Sequence, residues 1–308
     1  GRSMKRTYPV IIGRSGQLAQ SLASEAGPGG AVSRVFLGRP EFDLLDSNSV
    51  QDTVRRLVDG IRKAGNEPVI VNASAYTNVR AAETSAEAAH ALNAEAVGVL
   101  AGICDSEATC LIHISTDYVF DGRAAHPYRE TDPTGPLTVY GQSKRLGEEA
   151  VRAAGNNHLI VRTAWLYSPF GRNFLSIMKQ RAETGDTVRV VADQTGCPTS
   201  AIDLANAVLS LANHIATGST ARGTYHFCGP NIMTWHAFAR AIFRQVAGEA
   251  ACRRVLPISS DEFGDDVPRP AYSALDCQAI KRDFGIEAPA MEASMTRDLG
   301  KIDALSSG

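Results

Sequence analysis

The chain has 308 residues, 44% of them hydrophobic and 21% charged, with a formal net charge of -2. That length supports one large or two modest domains with a sizeable core, and the near-neutral charge argues against a nucleic-acid binder that works by phosphate neutralisation. No run approaches the roughly 20 apolar residues of a membrane span and no signal-peptide pattern opens the sequence, so a cytoplasmic protein with no membrane partner is expected. Residues 1–3, ahead of Met4, read as a remnant of expression and are set aside. Six cysteines (Cys104, Cys110, Cys197, Cys228, Cys252, Cys277) are scattered without a C-x-x-C. They read as small buried hydrophobes in a reducing compartment, and no histidines cluster with them as zinc ligands would.

Residues 8–12 form a short apolar strand that runs into Gly13-Arg14-Ser15-Gly16-Gln17-Leu18-Ala19 and a small-residue helical pattern. Glycines at 13 and 16 with Ala19 suit a tight turn, close approach of a pyrophosphate to a helix N-terminus, and tight helix packing. This is a looser form of the G-x-G-x-x-G fingerprint. It makes Gly13, Ser15, Gly16, Gln17 and Leu18 candidate dinucleotide contacts. A second strand over residues 32–37 ends at Gly38-Arg39, with Asp43 and Asp46 beyond. An acid at that strand end often holds the ribose hydroxyls of NAD. Here Arg39, and Arg14 as a second choice, would instead pair with a 2'-phosphate, which tilts the reading toward NADPH; solvated surface roles stay open for both. Asp43 or Asp46 either caps a helical pattern over residues 49–58 or lies beside the adenine.

Residues 68–73 are the next apolar strand, and its end, Ala73 through Ala75, Tyr76 and Thr77, should face the cofactor. A long helical stretch over about residues 85–108 contains Asn93, which disfavours a helix interior. It either bonds a neighbouring loop, as a cofactor-side residue would, or lies exposed. The strand over residues 111–114 then delivers Ser115, Thr116, Asp117 and Tyr118. After a Gly- and Pro-rich loop come Tyr140 and Lys144, one helical turn apart on one face. A free phenol is a poor acid or base near neutrality, and an adjacent cation favours its ionised form. Strand-end hydroxyls supply donors to a carbonyl oxygen that gains charge. Thr116, Tyr140 and Lys144 are therefore candidate catalytic residues for carbonyl–alcohol redox chemistry, given a hydride donor nearby. Taken alone, Tyr-x-x-x-Lys equally describes a half-buried tyrosine and a solvated lysine.

A further strand over residues 159–167 leads into a segment expected to reach over the site. Trp165 is either core or a flat wall for a sugar or nicotinamide. A brief strand at 188–191, a polar loop at 192–199 and a helix presenting Ile202, Ala205, Val208, Leu209 and Ala212 on one face come next, with Thr199 or Ser200 as the helix cap. Residues 224–228 read as the last sheet strand, and Trp235, Phe238, Ile242 and Phe243 as a helix stripe. Arg269, in a proline-rich loop, is a phosphate anchor or a surface ion pair. The tail from Asp303 is expected to fray.

Apolar strands without polar alternation, each separated by a helix, predict an α/β fold: a Rossmann-type doubly wound parallel sheet with a smaller, mostly C-terminal substrate-binding domain. Residues 1–170 and 200–228 would form the NAD(P)-binding domain, residues 171–199 and 229–302 the substrate-binding region, and residues 303–308 the frayed tail.

Several motifs occur in one order: Gly13-x-x-Gly16-Gln17-Leu18, residues 71–77 (VNASAYT), residues 115–122 (STDYVFDG), Tyr140-Gly141-Gln142-Ser143-Lys144, residues 162–165 (RTAW), Asn173-Phe174, residues 193–199 (DQTGCPT) and Arg269-Pro270-x-Tyr272-Ser273. In that order the chain resembles the dTDP-4-dehydrorhamnose reductases of the extended short-chain dehydrogenase/reductase superfamily, over about residues 5–300. The resemblance implies reduction of the C4 ketone of dTDP-4-dehydro-beta-L-rhamnose by NADPH or NADH, giving dTDP-beta-L-rhamnose for cell-surface polysaccharide. It implies that Tyr140 protonates the C4 oxygen, that Lys144 holds the cofactor ribose and lowers the phenol's pKa, and that Thr116 polarises the ketone. Asp117 and Tyr118 would lie in the substrate pocket and Trp165 would pack against the sugar. Asn173 and Arg269 would bind the sugar or its diphosphate. Some members bind magnesium through glutamates between subunits. Here Gln20 and Ser21 follow the fingerprint and Met291 stands where an aromatic is common, so no metal ligand is assigned, and magnesium, like the choice of monomer or homodimer, stays open. The alternatives are a reductase or epimerase of a related nucleotide sugar, which net consumption of NAD(P)H would separate, and a non-catalytic regulatory subunit with this fold.

Overall fold

The computed structural model describes residues 5–308, so the reading of residues 1–3 lies outside the described residues. Strands β1 (Thr7–Ile12), β2 (Val35–Leu37), β3 (Glu67–Asn72), β4 (Cys110–Thr116), β5 (His158–Thr163) and β6 (Gly223–His226) form one sheet in the order β6-β5-β4-β3-β1-β2. Every pairing is parallel. The helices are α1 (Gln17–Ser24), α2 (Ser47–Lys63), α3 (Val79–Thr84), α4 (Ala86–His90), α5 (Ala96–Ser106), α6 (Val139–Ala154), α7 (Phe174–Glu183), α8 (Ala201–Ala216), α9 (Trp235–Ala247), α10 (Ser260–Phe263), α11 (Gln278–Phe284) and α12 (Met291–Ser306).

Successive strand residues point to opposite faces, and here both faces are dry. Ile11, Val69, Val71, Ile112, Leu159 and Val161 meet α1, α8 and α11 through Leu18, Leu22, Leu204, Val208 and Phe284. Their neighbours Val10, Ile12, Ile70, Leu111 and Ile160 meet α2, α5 and α6 through Val50, Val54, Leu100 and Val151. Two covered faces explain why these strands carry no polar alternation. A separate apolar cluster joins α7, α9 and α12 through Leu175, Phe238, Ile242, Phe243, Met295 and Leu299. The parallel pair Val188–Val191 and Val255–Ile258 belongs to this smaller body.

Several expected boundaries shift for identifiable reasons. The second strand begins at Val35 rather than residue 32, because the Arg34 guanidinium turns back to the carbonyls of Leu22, Glu25 and Ala26 at the end of α1. Asp46 is the cap of α2, its Oδ1 accepting from Ser49 N at 3.2 Å, and the helix runs on to Lys63. The stretch expected as one helix over 85–108 is interrupted by a π-helical turn, Ala91–Glu95, which contains Asn93. Ser200 occupies the cap position of α8 without capping it; its hydroxyl donates to Asp298 Oδ2 at 2.7 Å. Over the tail from Asp303, α12 continues to Ser306, and Asp303 pairs with Lys179 at 2.9 Å.

Candidate active site

The carboxyl ends of β1, β3, β4 and β5 open into one cleft of about 590 Å³, where an open parallel sheet places its ligand. On one side, β1 turns into α1 at Gly13, whose φ of +127° belongs to glycine. A Cβ there would also meet the Ala73 backbone at 3.4 Å. Gly16 is the N-cap of α1 with no side-chain cap, and space for a Cβ on it is open within 4 Å. The first-turn N–H groups of α1 are thus left for a bound anion. Ser15, Gly16, Gln17 and Leu18 line the cleft with Ala73 and Ala75, which fits a dinucleotide pyrophosphate.

On the other side stands α6, capped by Thr138, whose hydroxyl accepts from Gly141 N at 3.0 Å. A Cβ on Gly141 would fall 2.3 Å from the Tyr118 carbonyl oxygen, so glycine lets the first turn of α6 press against the loop leaving β4. That contact brings Tyr140 to Thr116, Asp117 and Tyr118; the Tyr118 and Tyr140 rings meet edge to face, centroids 5.6 Å apart. One turn on, the buried Lys144 ammonium donates to the Ile114 carbonyl at 2.7 Å. After another turn, the fully buried Glu148 accepts from the Ser115 hydroxyl at 2.5 Å and from Arg162 Nη2 at 2.7 Å. Thr116, Asp117, Tyr118, Tyr140, Lys144 and Trp165 all line the cleft.

The electrostatics correct one expectation. Burial lowers the Lys144 pKa to about 8, and the negative charge of Glu148 works against that fall. The phenol of Tyr140 is not acidified: burial pushes its pKa up, the charges of Asp117 and Tyr118 add to this, and the Thr116 hydroxyl pulls the other way. Desolvation therefore outweighs the Thr116 hydrogen bond. The group is held as a protonated donor, and the alkoxide formed when a ketone is reduced is a strong enough base to take that proton. Asp117 is 2% exposed; its Oδ1 accepts from the Thr116 hydroxyl at 3.1 Å, and its buried Oδ2 has no partner. Burial raises this carboxyl to about 6, with the nearby Ser273 hydroxyl and the Thr116 hydrogen bond working against that rise. An unpartnered acceptor facing a cleft is suited to a ligand hydroxyl.

Other expected contacts lie elsewhere. Asn93 is buried behind the cleft, accepting from Tyr76 N at 2.8 Å and donating to Tyr76 O and Ser143 Oγ at 3.0 Å. It shapes the loop after β3, with no amide group left over for a cofactor, and Tyr76 is held by that same clamp. Asn173 caps α7: its side chain accepts from Leu175 N at 3.1 Å and donates to Ser168 O at 2.9 Å, so it too is spent on the fold. Arg39 is exposed and 3.5 Å from Asp43, whose carboxylate also accepts from Leu45 N. Arg14 pairs with Glu41 and lies across Gly38. Arg269 donates to the Tyr118 hydroxyl at 3.0 Å and to Asp265 at 2.9 Å, just outside the cleft wall. The sequence reading missed Gln20, Phe170 and Arg172, which line the cleft. It also missed Trp235, stacked on Trp165 at 3.7 Å between centroids. Only the run around Asn173 hinted at Arg172; nothing local distinguishes Trp235 from its apolar stripe. Among the described residues no group of three or more His, Cys, Asp or Glu is placed to hold a metal.

Residues 9–303 match the family described as RmlD substrate binding domain. A dTDP-4-dehydrorhamnose reductase of Sinorhizobium fredii is 42% identical over 292 residues, covering 94% of this chain and 95% of the relative. One of Burkholderia thailandensis is 40% identical over 91% of this chain and 94% of its own length. Among solved structures, a dTDP-4-dehydrorhamnose reductase of Bacillus anthracis in complex with NADP superposes with a TM-score of 0.83 at 30% identity, covering 96% of this chain and 99% of its own. The Clostridium acetobutylicum counterpart gives 0.84 at 31% identity, covering 97% and 99%.

Proposed function

This chain belongs to the RmlD substrate binding domain family, among the dTDP-4-dehydrorhamnose reductases, and from that premise we propose how its own residues carry the reaction. It is an NAD(P)H-dependent oxidoreductase that reduces the C4 ketone of dTDP-4-dehydro-beta-L-rhamnose to dTDP-beta-L-rhamnose. The nicotinamide cofactor, when bound, supplies the hydride. The uncapped start of α1 holds the cofactor's pyrophosphate, and Lys144, fixed by Ile114, holds a ribose hydroxyl. Thr116 turns its hydroxyl proton from Asp117 to the ketone oxygen as charge develops there, and Tyr140 transfers its phenolic proton to that oxygen. Asp117 accepts from a sugar hydroxyl, and Trp165 forms the wall against which the sugar ring rests.

The observation that carries this reading is the convergence of Thr116, Tyr140 and Lys144 on the same cleft as the open N-terminus of α1. We assign residues up to 170 with 200–228 to cofactor binding, and residues 171–199 with 229–302 to the sugar side. Tyr76, Asn93 and Asn173 act behind the site, while Arg172 and Arg269 stand where a diphosphate passes. All these groups come from one chain, so a monomer suffices for chemistry; sedimentation tells it from a homodimer. No helix among the described residues is long and apolar enough to cross a membrane. A charged nucleotide-sugar substrate supports placement in the cytoplasm. The test is NAD(P)H absorbance with the keto sugar made in situ: one cofactor oxidised per sugar reduced is expected. Turnover without net NAD(P)H consumption would indicate an epimerase and sink the reading.

A further inference from the structure

Away from the cleft, three of the six cysteines meet. Cys197 lies in the loop before α8, Cys228 follows β6, and Cys277 directly precedes α11. The sulfurs of Cys228 and Cys277 are 3.6 Å apart, and both approach the Leu275 carbonyl, at 3.6 and 3.8 Å. All three cysteines line a second cavity of about 290 Å³, whose wall includes Lys281 and Glu287. These thiols pack against Phe120, Ala274 and Leu275 as small hydrophobes do, and Cys228 and Cys277 also face one another at the edge of a void. Cys277 is only partly buried and offers the way in, while Cys228 sits directly behind it.

We propose that Cys277 and Cys228 form a dithiol that peroxide-class oxidants convert reversibly into a disulfide, making this cavity a redox-modification site. The thiolate of Cys277 attacks one oxygen of hydrogen peroxide; the O–O bond breaks, hydroxide leaves and a sulfenic acid forms. Cys228 then loses its proton and its sulfur attacks the sulfenic sulfur, displacing hydroxide, which departs with that proton as water. In sum, two thiols lose two electrons and two protons, and one peroxide becomes two waters. The sulfurs need to close by about 1.5 Å from their 3.6 Å separation to reach bonding distance. The neighbouring thiols of Cys197 and Cys277, together with burial, hold Cys228 protonated, which suits the resolving rather than the attacking role. Cys104 and Cys110 serve as internal references: both are buried, and burial pushes the Cys110 thiol up to about 12.

The full-length protein is treated with hydrogen peroxide, denatured, alkylated and digested for mass spectrometry. The expected result is a cross-linked peptide pair containing Cys228 and Cys277, two fewer alkylated thiols, and full recovery with dithiothreitol. Cys277→Ser, with an unchanged circular dichroism spectrum, should abolish the cross-link, and Cys104→Ser should leave it in place. Cys228→Ala provides a second route: it should leave Cys277 to over-oxidise to sulfinic acid. Six thiols still alkylated after peroxide, a cross-link between Cys104 and Cys110 instead, or over-oxidised Cys277 beside a free Cys228 in the unmutated protein would each overturn the proposal.

Discussion

The ammonium of Lys144 is tied to the carbonyl oxygen of Ile114 at 2.7 Å, so the end of the central strand and the second turn of α6 move as one piece. The same helix presents Tyr140 beside Thr116 one turn earlier and Glu148 to Ser115 one turn later. Three successive turns thus fix three consecutive strand residues. With the Lys144 pKa near 8, its charge is lost as pH rises through that value, and kcat/KM should fall on the alkaline side. Stability should move the other way. The unfolded chain binds more protons than the native one between about 8 and the ordinary 10.5, so the penalty of burying the ammonium is relieved across that window. Parallel pH series of initial rate and urea unfolding test both signs, and Lys144→Met should flatten both.

Tyr140→Phe removes the proton donor while leaving the ring that meets Tyr118. Turnover should drop by about 10²–10⁴-fold, the usual range for general acid catalysis, with cofactor affinity kept. Near-normal turnover in the absorbance assay would end the assignment.

Asp117→Asn should stabilise the protein and weaken it as an enzyme. A carboxyl raised from 3.8 to about 6 binds more protons folded than unfolded between those values. Stability therefore falls as pH rises across that window, and the penalty is complete above about 6. The shift corresponds to at most about 3 kcal/mol. Thermal scans should show the variant melting higher at neutral pH and matching wild type near pH 4, while its KM for the keto sugar rises.

Cofactor preference should rest on Arg14 more than on Arg39. Arg14 lies over Gly38 at the end of β2 and is already paired with Glu41, whereas Arg39 extends into solvent. Loss of a charge-assisted bond to a 2'-phosphate is worth about 1.5–3 kcal/mol, so Arg14→Ala should raise the KM for NADPH at least about 10-fold and spare NADH. A larger effect from Arg39→Ala would reverse the order.

Trp165 has a φ of +49°, stacks on Trp235 and packs close upon Gly196, where a Cβ would lie 2.6 Å from its ring. Such a backbone costs about 1–3 kcal/mol and persists only where its surroundings enforce it. Gly196→Ala should displace the indole, raise the KM for the keto sugar with little change for the cofactor, and alter tryptophan fluorescence, since these two are the only tryptophans in the sequence.

The sheet was legible because Val69, Ile70 and Val71, like Leu159, Ile160 and Val161, leave no polar face, and only a doubly covered parallel sheet accepts that. Thr116, Tyr140 and Lys144 were legible because strand ends and helix spacing carry geometry. What stayed hidden depends on contacts distant in sequence. Arg34 shortens a strand by reaching back to α1, Trp235 meets Trp165 from the smaller body, and Asp303 is ordered by Lys179. The direction of the Tyr140 shift was misjudged because helix spacing sets Lys144 one turn away without showing that desolvation governs the phenol.

The π turn at Ala91–Glu95 accommodates one surplus residue in an otherwise regular helical run. Excising a single alanine from it would restore an ordinary spiral with both flanks still in register, but would remove the widened turn that carries Asn93. The Asn93 amide would then lose its grip on Tyr76, and the wall after β3 would slacken with every catalytic side chain still present. The irregular turn thus works as a spacer, and shortening it should harm cofactor binding more than many substitutions inside the cleft.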